Sequence, residues 1–349
     1  MVGTPETLPC EIEQEPALSL TLAHLPSTQI TTAHVTALPD ADAPPLAWHA
    51  LLGSTPSDHC NLILLADPTY APLTDLLAGL DYAYPGATVL GGLSSADLYD
   101  FNRRALLCWS RGATHPPLSQ HGAAVLALCG GVDVRPVVSQ GYRPLGEAVY
   151  TVERVLDNVV LLASATVDKA QRVSPKPPLE LVRQALESLP PEDRSAAARN
   201  LLAGVLPATG SEPLVRPIIG VVPATGGMAL GGDAAVVGRR FQFVVRDAAS
   251  AEAQLTQRMA DVKRARLQAL VVGGDRAPQN SAPLGCLMFT CNGRGTALYG
   301  RPHVDARLVG EFVGAAPLAG LQCSGEVGPV GGQTQLLGFS CAIGLVHAV

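Results

Sequence analysis

Short, continuous apolar segments that each run into a glycine-rich polar loop recur along this 349-residue chain and constrain its fold most strongly. The first is CNLILLAD (60–67), whose length and composition are typical of a strand buried on both faces. APLTDLLAGL (71–80) follows with leucines at helix spacing and Pro72 near its start. ATVLGG (87–92) then returns to strand character. This order predicts a β-α-β unit whose second strand opens into a Gly-Ser loop.

A second stretch of the chain repeats this order. Residues 60–97 read as strand, loop and helix and end in VLGGLSSAD, whereas residues 286–326 show the same succession and end in LAGLQCSGE. Both stretches finish with an apolar strand, a glycine, serines and an acid. A structural duplication is one interpretation, although the identity between the two stretches is too weak to decide it.

Further strand patterns predict two hairpins. GAAVLALCG (122–130) and VDVRPVVSQG (132–141) are close enough in sequence to pair with each other. AVYTVERV (148–155) and NVVLLAS (158–164) form a second candidate, which turns at Asp157-Asn158.

The length and composition predict a two-domain α/β protein, with mixed sheets and helices packed on them. Domains usually span about 100–200 residues, and a hydrophobic fraction of 47% supplies aliphatic side chains for sizeable cores. The first 45 residues are rich in proline and threonine and are predicted to form an extended leader.

The charge distribution argues against nucleic-acid and membrane partners. The net charge is −6, the lysines are Lys169, Lys176 and Lys263, and the chain has no basic run. No apolar stretch approaches the roughly 18 residues that span a bilayer. The acidic start MVGTPETLPCEIEQE matches neither a signal nor a transit peptide, so we expect a cytoplasmic protein.

The cysteines are predicted to be small buried hydrophobic residues in a reducing compartment. There are eight of them, and none forms a CxxC pair. A zinc site or a disulfide framework is the alternative, but the spacing supports neither, and we predict no metal and no cofactor.

Five loops combine glycine with a fixed polar group, and three of them directly follow predicted strands. Ligands bind at strand ends in open α/β sheets, and glycine lets the backbone approach them. Arg143 and Arg294 can each grip a carboxylate with two hydrogen bonds, and Glu326 can receive a ligand amine. The predicted ligand-binding residues are Gly91, Gly92, Ser94, Ser95, Gly141, Arg143, Asn292, Arg294, Gly325 and Glu326. The alternative is that these glycines only make turns.

An enzyme would need a nucleophile with a base, or an acid paired with a base. Cys291 and Cys323 flank glycine loops and His303 lies near in sequence, but no GxSxG, HExxH or DxD pattern is present. We therefore predict no catalytic residues. A thiol-dependent enzyme remains the alternative, and it requires one thiol whose pKa is depressed by a nearby basic group.

These loops resemble the pattern of the FIST family, the F-box and intracellular signal-transduction proteins. In the N-terminal part the resemblance rests on GGLSSAD (91–97) and SQGYRPLGEAVYTVERVLDN (139–158), with Tyr142 where family members tend to carry a sulfur residue. In the C-terminal part it rests on FVVRDA, MFTCNGRGTALYG and PLAGLQCSGEVGPVGGQTQLLGFSCAIGL. The resemblance implies a FIST N-terminal-like domain over 46–245 and a FIST C-terminal-like domain over 246–349.

The resemblance also implies a function. By this resemblance the chain would be an intracellular sensory module for small ligands such as amino acids, and bacterial members of the family sit beside signalling domains. Some eukaryotic members carry an F-box and act as substrate adaptors of ubiquitin ligases. The stretch before residue 46 leaves little room for the helical bundle of an F-box. We therefore expect a ligand-binding module, with a protein-interaction scaffold or an adaptor-like protein lacking its own F-box as the alternative. The protein partner would then be a signalling or ubiquitin-ligase protein.

Overall fold

The computed structural model describes residues 2–3, 8–57, 59–95, 105–111, 117–167, 171–172, 174–207, 212–273 and 282–349. The strands are β1 (Val2–Gly3), β2 (Thr28–Val35), β3 (Cys60–Ala66), β4 (Thr88–Leu93), β5 (Leu106–Leu107), β6 (Leu118–Ser119), β7 (Ala123–Gly130), β8 (Val132–Ser139), β9 (Arg143–Pro144), β10 (Val149–Leu156), β11 (Val159–Val167), β12 (Gln171–Arg172), β13 (Leu201–Val205), β14 (Leu214–Val222), β15 (Gly227–Leu230), β16 (Arg240–Val245), β17 (Gly285–Cys291), β18 (Leu318–Cys323), β19 (Glu326–Val330), β20 (Gln333–Leu337) and β21 (Cys341–Ala348). The helices are α1 (Pro45–Leu52), α2 (Leu73–Ala83), α3 (Pro178–Glu187), α4 (Pro191–Arg199), α5 (Ala248–Gly273), α6 (Gly295–Tyr299) and α7 (Val304–Val313). The mixed α/β class predicted from the sequence is confirmed.

The larger of two compact units comprises Met1–Ser139 and Glu252–Val349 and is built on two sheets. One sheet has the order β2-β7-β3-β4-β19-β20 and the other the order β1-β18-β17-β21-β8. Ile63 and Leu90 of the first sheet share a buried cluster with Phe289 and Ala342 of the second, so the sheets pack face to face.

Helices cover the outer face of each sheet in this unit. Trp48 of α1 and Leu76 of α2 pack on the first sheet. Leu255 of α5 and Val309 of α7 pack on the second. The result is a four-layer α/β/β/α arrangement, which explains why the strands are apolar on both faces.

The two stretches that resemble each other in sequence have the same topology. β3 and β4, which precede and follow α2 in the chain, pair directly in parallel, and β7 pairs antiparallel with β3. β17 and β18, which precede and follow α7 in the chain, likewise pair directly in parallel, and β21 pairs antiparallel with β17. Each of these β-α-β segments also needs a glycine on its second strand, because a Cβ on Gly91 or Gly320 would lie less than 2 Å from a carbonyl oxygen of the partner strand.

The predicted hairpin between 122–130 and 132–141 is wrong. β7 pairs with β2 and β3 in the first sheet, whereas β8 pairs with β21 in the second. Gly130 has a φ of +114°, a conformation that favours glycine, and the chain passes from one sheet to the other here. Because both segments are apolar, each gains more by entering a large sheet than by pairing with the other.

The second compact unit, Gln140–Ala251, is built on an antiparallel sheet that closes on itself. The ring runs β10-β11-β15-β14-β13-β16 and is closed where Tyr150 of β10 pairs with Phe241 of β16. The rings of Tyr150, Phe241 and Phe243 pack together in its interior with centroids 4.8–5.4 Å apart. The predicted β10–β11 hairpin is confirmed, and Asp157 makes its turn with a φ of +52°.

Across the described part of the chain, no helix combines the length and apolar character needed to cross a bilayer. The domain boundaries at residues 45 and 245 stay a prediction, because the larger compact unit is made of two separate stretches of the chain, Met1–Ser139 and Glu252–Val349.

Candidate functional site

Three of the predicted loops meet at one end of the larger unit. The N–H of Ser324 donates to the carbonyl of Leu93, and the N–H of Leu93 donates to the carbonyl of Gly325 (3.1 and 2.8 Å). The N–H of Asn292 donates to the carbonyl of Cys323 at 2.8 Å. These bonds join the ends of β4, β17 and β18. We call this group the strand-end cluster; it consists of Gly91, Gly92, Ser94, Ser95, Cys291, Asn292, Arg294, Cys323, Gly325 and Glu326.

The remaining two predicted ligand-binding residues belong to the second compact unit. The Nε of Arg143 lies 2.7 Å from a carboxylate oxygen of Asp247, and both side chains are partly exposed. Gly141 is buried, with a φ of +64°. Their role in ligand binding stays a prediction.

Glu326 is the buried acid of the strand-end cluster. Its side chain is fully buried, and its Oε2 accepts hydrogen bonds from the N–H and the hydroxyl of Ser340 at 2.9 and 2.7 Å. Its Oε1 has no well-formed hydrogen bond among the described residues. Burial raises the pKa of Glu326 to about 8, although Ser340 and the neighbouring Cys291 thiol offset part of this effect. The carboxyl is therefore neutral at pH 7.

The thiols around Glu326 are buried and protonated. Burial and the nearby Glu326 carboxyl raise the pKa of Cys323, and burial raises the pKa of Cys341. A Cβ on Gly92 would lie 2.2 Å from the Sγ of Cys323, so this glycine lets the thiol pack against β4. A nucleophilic thiol needs the opposite shift in pKa.

Arg294 forms a buried ion pair within the chain. Its Nε and Nη2 contact the two carboxylate oxygens of Asp305 at 2.6 and 2.9 Å, and both side chains are almost fully buried. Tyr299 and Thr290 also donate hydroxyl bonds to Asp305, and Nη1 of Arg294 donates to the carbonyl of Phe339. Burial by itself would raise the pKa of Asp305, but the charge and hydrogen bonds of Arg294 hold it below its usual value. The two-bond grip expected on a ligand carboxylate is thus made to Asp305.

A segment near the N-terminus covers the loop that carries Arg294. Oε1 of Glu11 accepts a hydrogen bond from the N–H of Ala306 at the start of α7 (2.7 Å). The Glu13 carboxylate accepts bonds from the N–H and hydroxyl of Thr296 at 3.0–3.1 Å. The Nδ1 of His303, a candidate base in the enzyme alternative, accepts the N–H of Glu11 at 3.0 Å. Burial and the nearby Asp305 carboxylate raise the pKa of Glu11 to about 7.

Comparison with known proteins matches two adjacent family models to the chain. The FIST N domain matches residues 8–163, and the FIST C domain matches residues 178–329. Uncharacterized protein Rv0628c of Mycobacterium tuberculosis is 31% identical over 347 residues, which cover 96% of this chain and 79% of that protein. Uncharacterized protein Mb0898c of Mycobacterium bovis is 32% identical over 81% of this chain and 66% of that protein.

The chain belongs to the FIST family. FIST domains are associated with sensing in signal transduction, and the expected family membership is confirmed. In this FIST protein the N- and C-terminal family models meet within the second compact unit, between residues 163 and 178.

Sequence reasoning did not find the partners of the predicted residues. Asp305 and Glu11 are polar residues whose importance comes from burial in the folded FIST protein, and Tyr299 is half-buried beside Asp305. The only local signal was Asp305 in the first turn of a predicted helix, a position that favours acids. Ser340 precedes an apolar strand, and nothing in the local sequence indicates that it binds Glu326.

The expectation of free thiols is wrong for one pair of cysteines. Cys60 of β3 and Cys129 of β7 lie directly opposite each other and form a disulfide, with Cα atoms 4.1 Å apart. This pairing depends on strand register across 69 residues, which sequence spacing does not reveal. No disulfide includes Cys10, Cys108, Cys286, Cys291, Cys323 or Cys341 in the described part of the chain. No group of three or more metal-ligating side chains occurs among the residues that the structure describes.

The raised pKa values of Glu326 and Glu11 predict that stability falls as the pH rises from about 5 to 8. In this window the unfolded chain has released protons that the folded protein still holds, so the free energy of unfolding decreases by up to ~1.4 kcal/mol per pH unit for each group. Replacing Glu326 with glutamine should remove its share. Urea unfolding at pH 5, 6.5 and 8 measures this effect.

The exposed Glu187 supplies the matched control. Glu187→Gln should follow the wild-type pH profile, whereas Glu326→Gln should become relatively more stable toward pH 8. Parallel profiles for wild type and Glu326→Gln would show that this carboxyl titrates normally.

Proposed function

We propose that this FIST protein is a cytoplasmic sensory module that binds a small polar ligand, an amino acid, at the strand-end cluster. The observation that carries the proposal is the buried carboxyl of Glu326, whose Oε1 lacks a well-formed hydrogen bond among the described residues. A buried polar atom in this condition is costly to fold unless a partner satisfies it. A ligand ammonium group would supply both the missing donor and a compensating charge, once the loops of the strand-end cluster open to admit it to the buried carboxyl.

The carboxylate of the same ligand would bind to the exposed parts of the cluster. Ser95 and Asn292 are exposed on neighbouring loops and carry hydrogen-bond donors. Arg294 keeps its contacts with Asp305 and fixes the loop that presents Asn292. Two charge-assisted bonds of about 1.5–3 kcal/mol each, together with packing, are sufficient for a micromolar site.

Ligand binding would be linked to proton release. At pH 7 Glu326 is protonated, and an ammonium ion binds well only to the ionised carboxylate. The complex therefore gives up a proton, and affinity increases as the pH rises toward 8.

Isothermal titration with the twenty amino acids tests this proposal. For a binding amino acid, titrations at pH 6, 7 and 8 in buffers of different ionisation enthalpy should show affinity rising with pH and up to one proton released per ligand. Glu326→Gln should abolish the proton release and weaken binding by about tenfold or more, while Glu187→Gln should leave both unchanged. The proposal fails if no amino acid binds, or if the wild type and Glu326→Gln give the same pH-independent affinity.

The alternative function is a protein-interaction scaffold for a signalling or ubiquitin-ligase partner. Large exposed apolar side chains on β14 favour it, because Ile219 and Val221 are 58% and 42% exposed. It gains support if the amino-acid titrations are all negative. We propose no catalytic role for the buried thiols, since burial raises the pKa of Cys323.

A further inference from the structure

A cavity of about 280 Å³ lies on the α-helical side of the second sheet, away from the loops of the strand-end cluster. It is bordered by α5, the end of α7, β8 and β21 and is partly open to solvent. Met259 and Val262 of α5, Phe312 of α7 and Leu345 of β21 supply most of its apolar wall. Such a wall binds the hydrocarbon part of a ligand by removing it from water.

The lining of this cavity is positively charged. Lys263 and Arg266 of α5 and Arg135 of β8 line it, and no Asp or Glu is found among its lining residues in the described part of the chain. The chain as a whole has the opposite balance, with 24 Lys and Arg against 30 Asp and Glu. Arg135 also contacts Asp133, at 3.0 Å.

From this combination we infer that the cavity binds an amphipathic anion, a carboxylate with a medium-length hydrocarbon chain. The chain lies against Met259, Val262 and Phe312, and the carboxylate meets Lys263 and Arg266. At roughly 30 Å³ per small group, the volume accommodates about nine or ten non-hydrogen atoms. An amino acid fits less well here, because its ammonium group would face the cations. This inference stands independently of the function proposed for Glu326.

Octanoate is a suitable probe, since its size matches the cavity and it carries one carboxylate. We expect titration of the full chain with octanoate to show saturable binding. Neutral octanol should bind about tenfold more weakly or worse, because it lacks the charge, and acetate should not bind, because it lacks the chain. The double variant Lys263→Gln, Arg266→Gln should reduce octanoate affinity by about tenfold or more.

Arg264→Gln is the matched control, since Arg264 lies on the same helix, pairs with Asp261 at 2.8 Å and does not line the cavity. It should bind octanoate as the wild type does. Val262→Trp, which fills the cavity, should abolish binding, and a circular-dichroism melt checks that each variant is folded. Glu326→Gln should bind octanoate normally, which separates this result from the amino-acid test. Absence of octanoate binding, equal binding of octanol, or unchanged affinity in the double variant would overturn the inference.

Discussion

Replacing Asp305 with asparagine should destabilise this FIST protein by about 3–5 kcal/mol. The substitution preserves the side-chain shape but leaves the fully buried guanidinium of Arg294 without its counter-charge. In the wild type Arg294, Tyr299 and Thr290 all donate hydrogen bonds to the Asp305 carboxylate. The amide NH2 of asparagine is itself a donor and would face these donors. Equilibrium urea unfolding, monitored by circular dichroism, measures the change.

A surface pair provides the control for this prediction. Glu252 and Arg301 are 2.7 Å apart but substantially exposed, so Glu252→Gln should cost only about 0–1 kcal/mol. Replacing both buried partners with apolar residues, Arg294→Met with Asp305→Leu, should be less harmful than Asp305→Asn alone, because no charge is then left buried and unpaired. If Asp305→Asn unfolds at the same urea concentration as the wild type, the ion pair is not important for stability.

Replacing Gly91 with alanine should have an effect of similar size and prevent normal folding of the first sheet. The new Cβ would lie 1.7 Å from the carbonyl oxygen of Leu64 and 2.7 Å from its carbonyl carbon. Both atoms belong to the backbone of β3, which is held between β7 and β4 and cannot move away without breaking the sheet. We expect a loss of more than ~3 kcal/mol or insoluble protein, measured by soluble yield and thermal unfolding.

Two other glycines sharpen this test. Gly320→Ala in the second β-α-β segment should behave like Gly91→Ala, because its Cβ would lie 1.8 Å from the carbonyl oxygen of Met288. Gly338→Ala should change stability by no more than about 0.5 kcal/mol, because nothing lies within 4 Å of its Cβ. A Gly91→Ala protein that melts with the wild type would contradict the close strand approach.

The local part of the fold could be predicted from sequence, whereas the long-range pairings could not. Apolar runs and helix spacing identified β3, α2 and β4, because these signals depend on neighbouring residues. The separation of β7 from β8 and the closure of the β10–β16 ring depend on partners far away in the chain.

The candidate site shows the same division. The sequence singled out the glycine loops after β4, β17 and β18 as candidates for ligand binding, and in the structure backbone hydrogen bonds join these loops. The sequence did not indicate that Arg294 is buried against Asp305, because a charged residue in a glycine loop has the same local pattern whether it faces water or a partner. Burial is a property of the whole fold, and it also sets the raised pKa of Glu326.

The exchange of strands between the two halves of the chain has a consequence for how FIST sequences can be divided. β8, from the N-terminal half, completes the sheet that contains β21, and β19, from the C-terminal half, completes the sheet that contains β4. A polypeptide cut between β12 and α3 would yield fragments that each expose an unsatisfied edge strand of these two sheets. Neither fragment should persist as a soluble monomer, but co-expression should allow them to reassemble, which makes this connection a natural site for a split reporter.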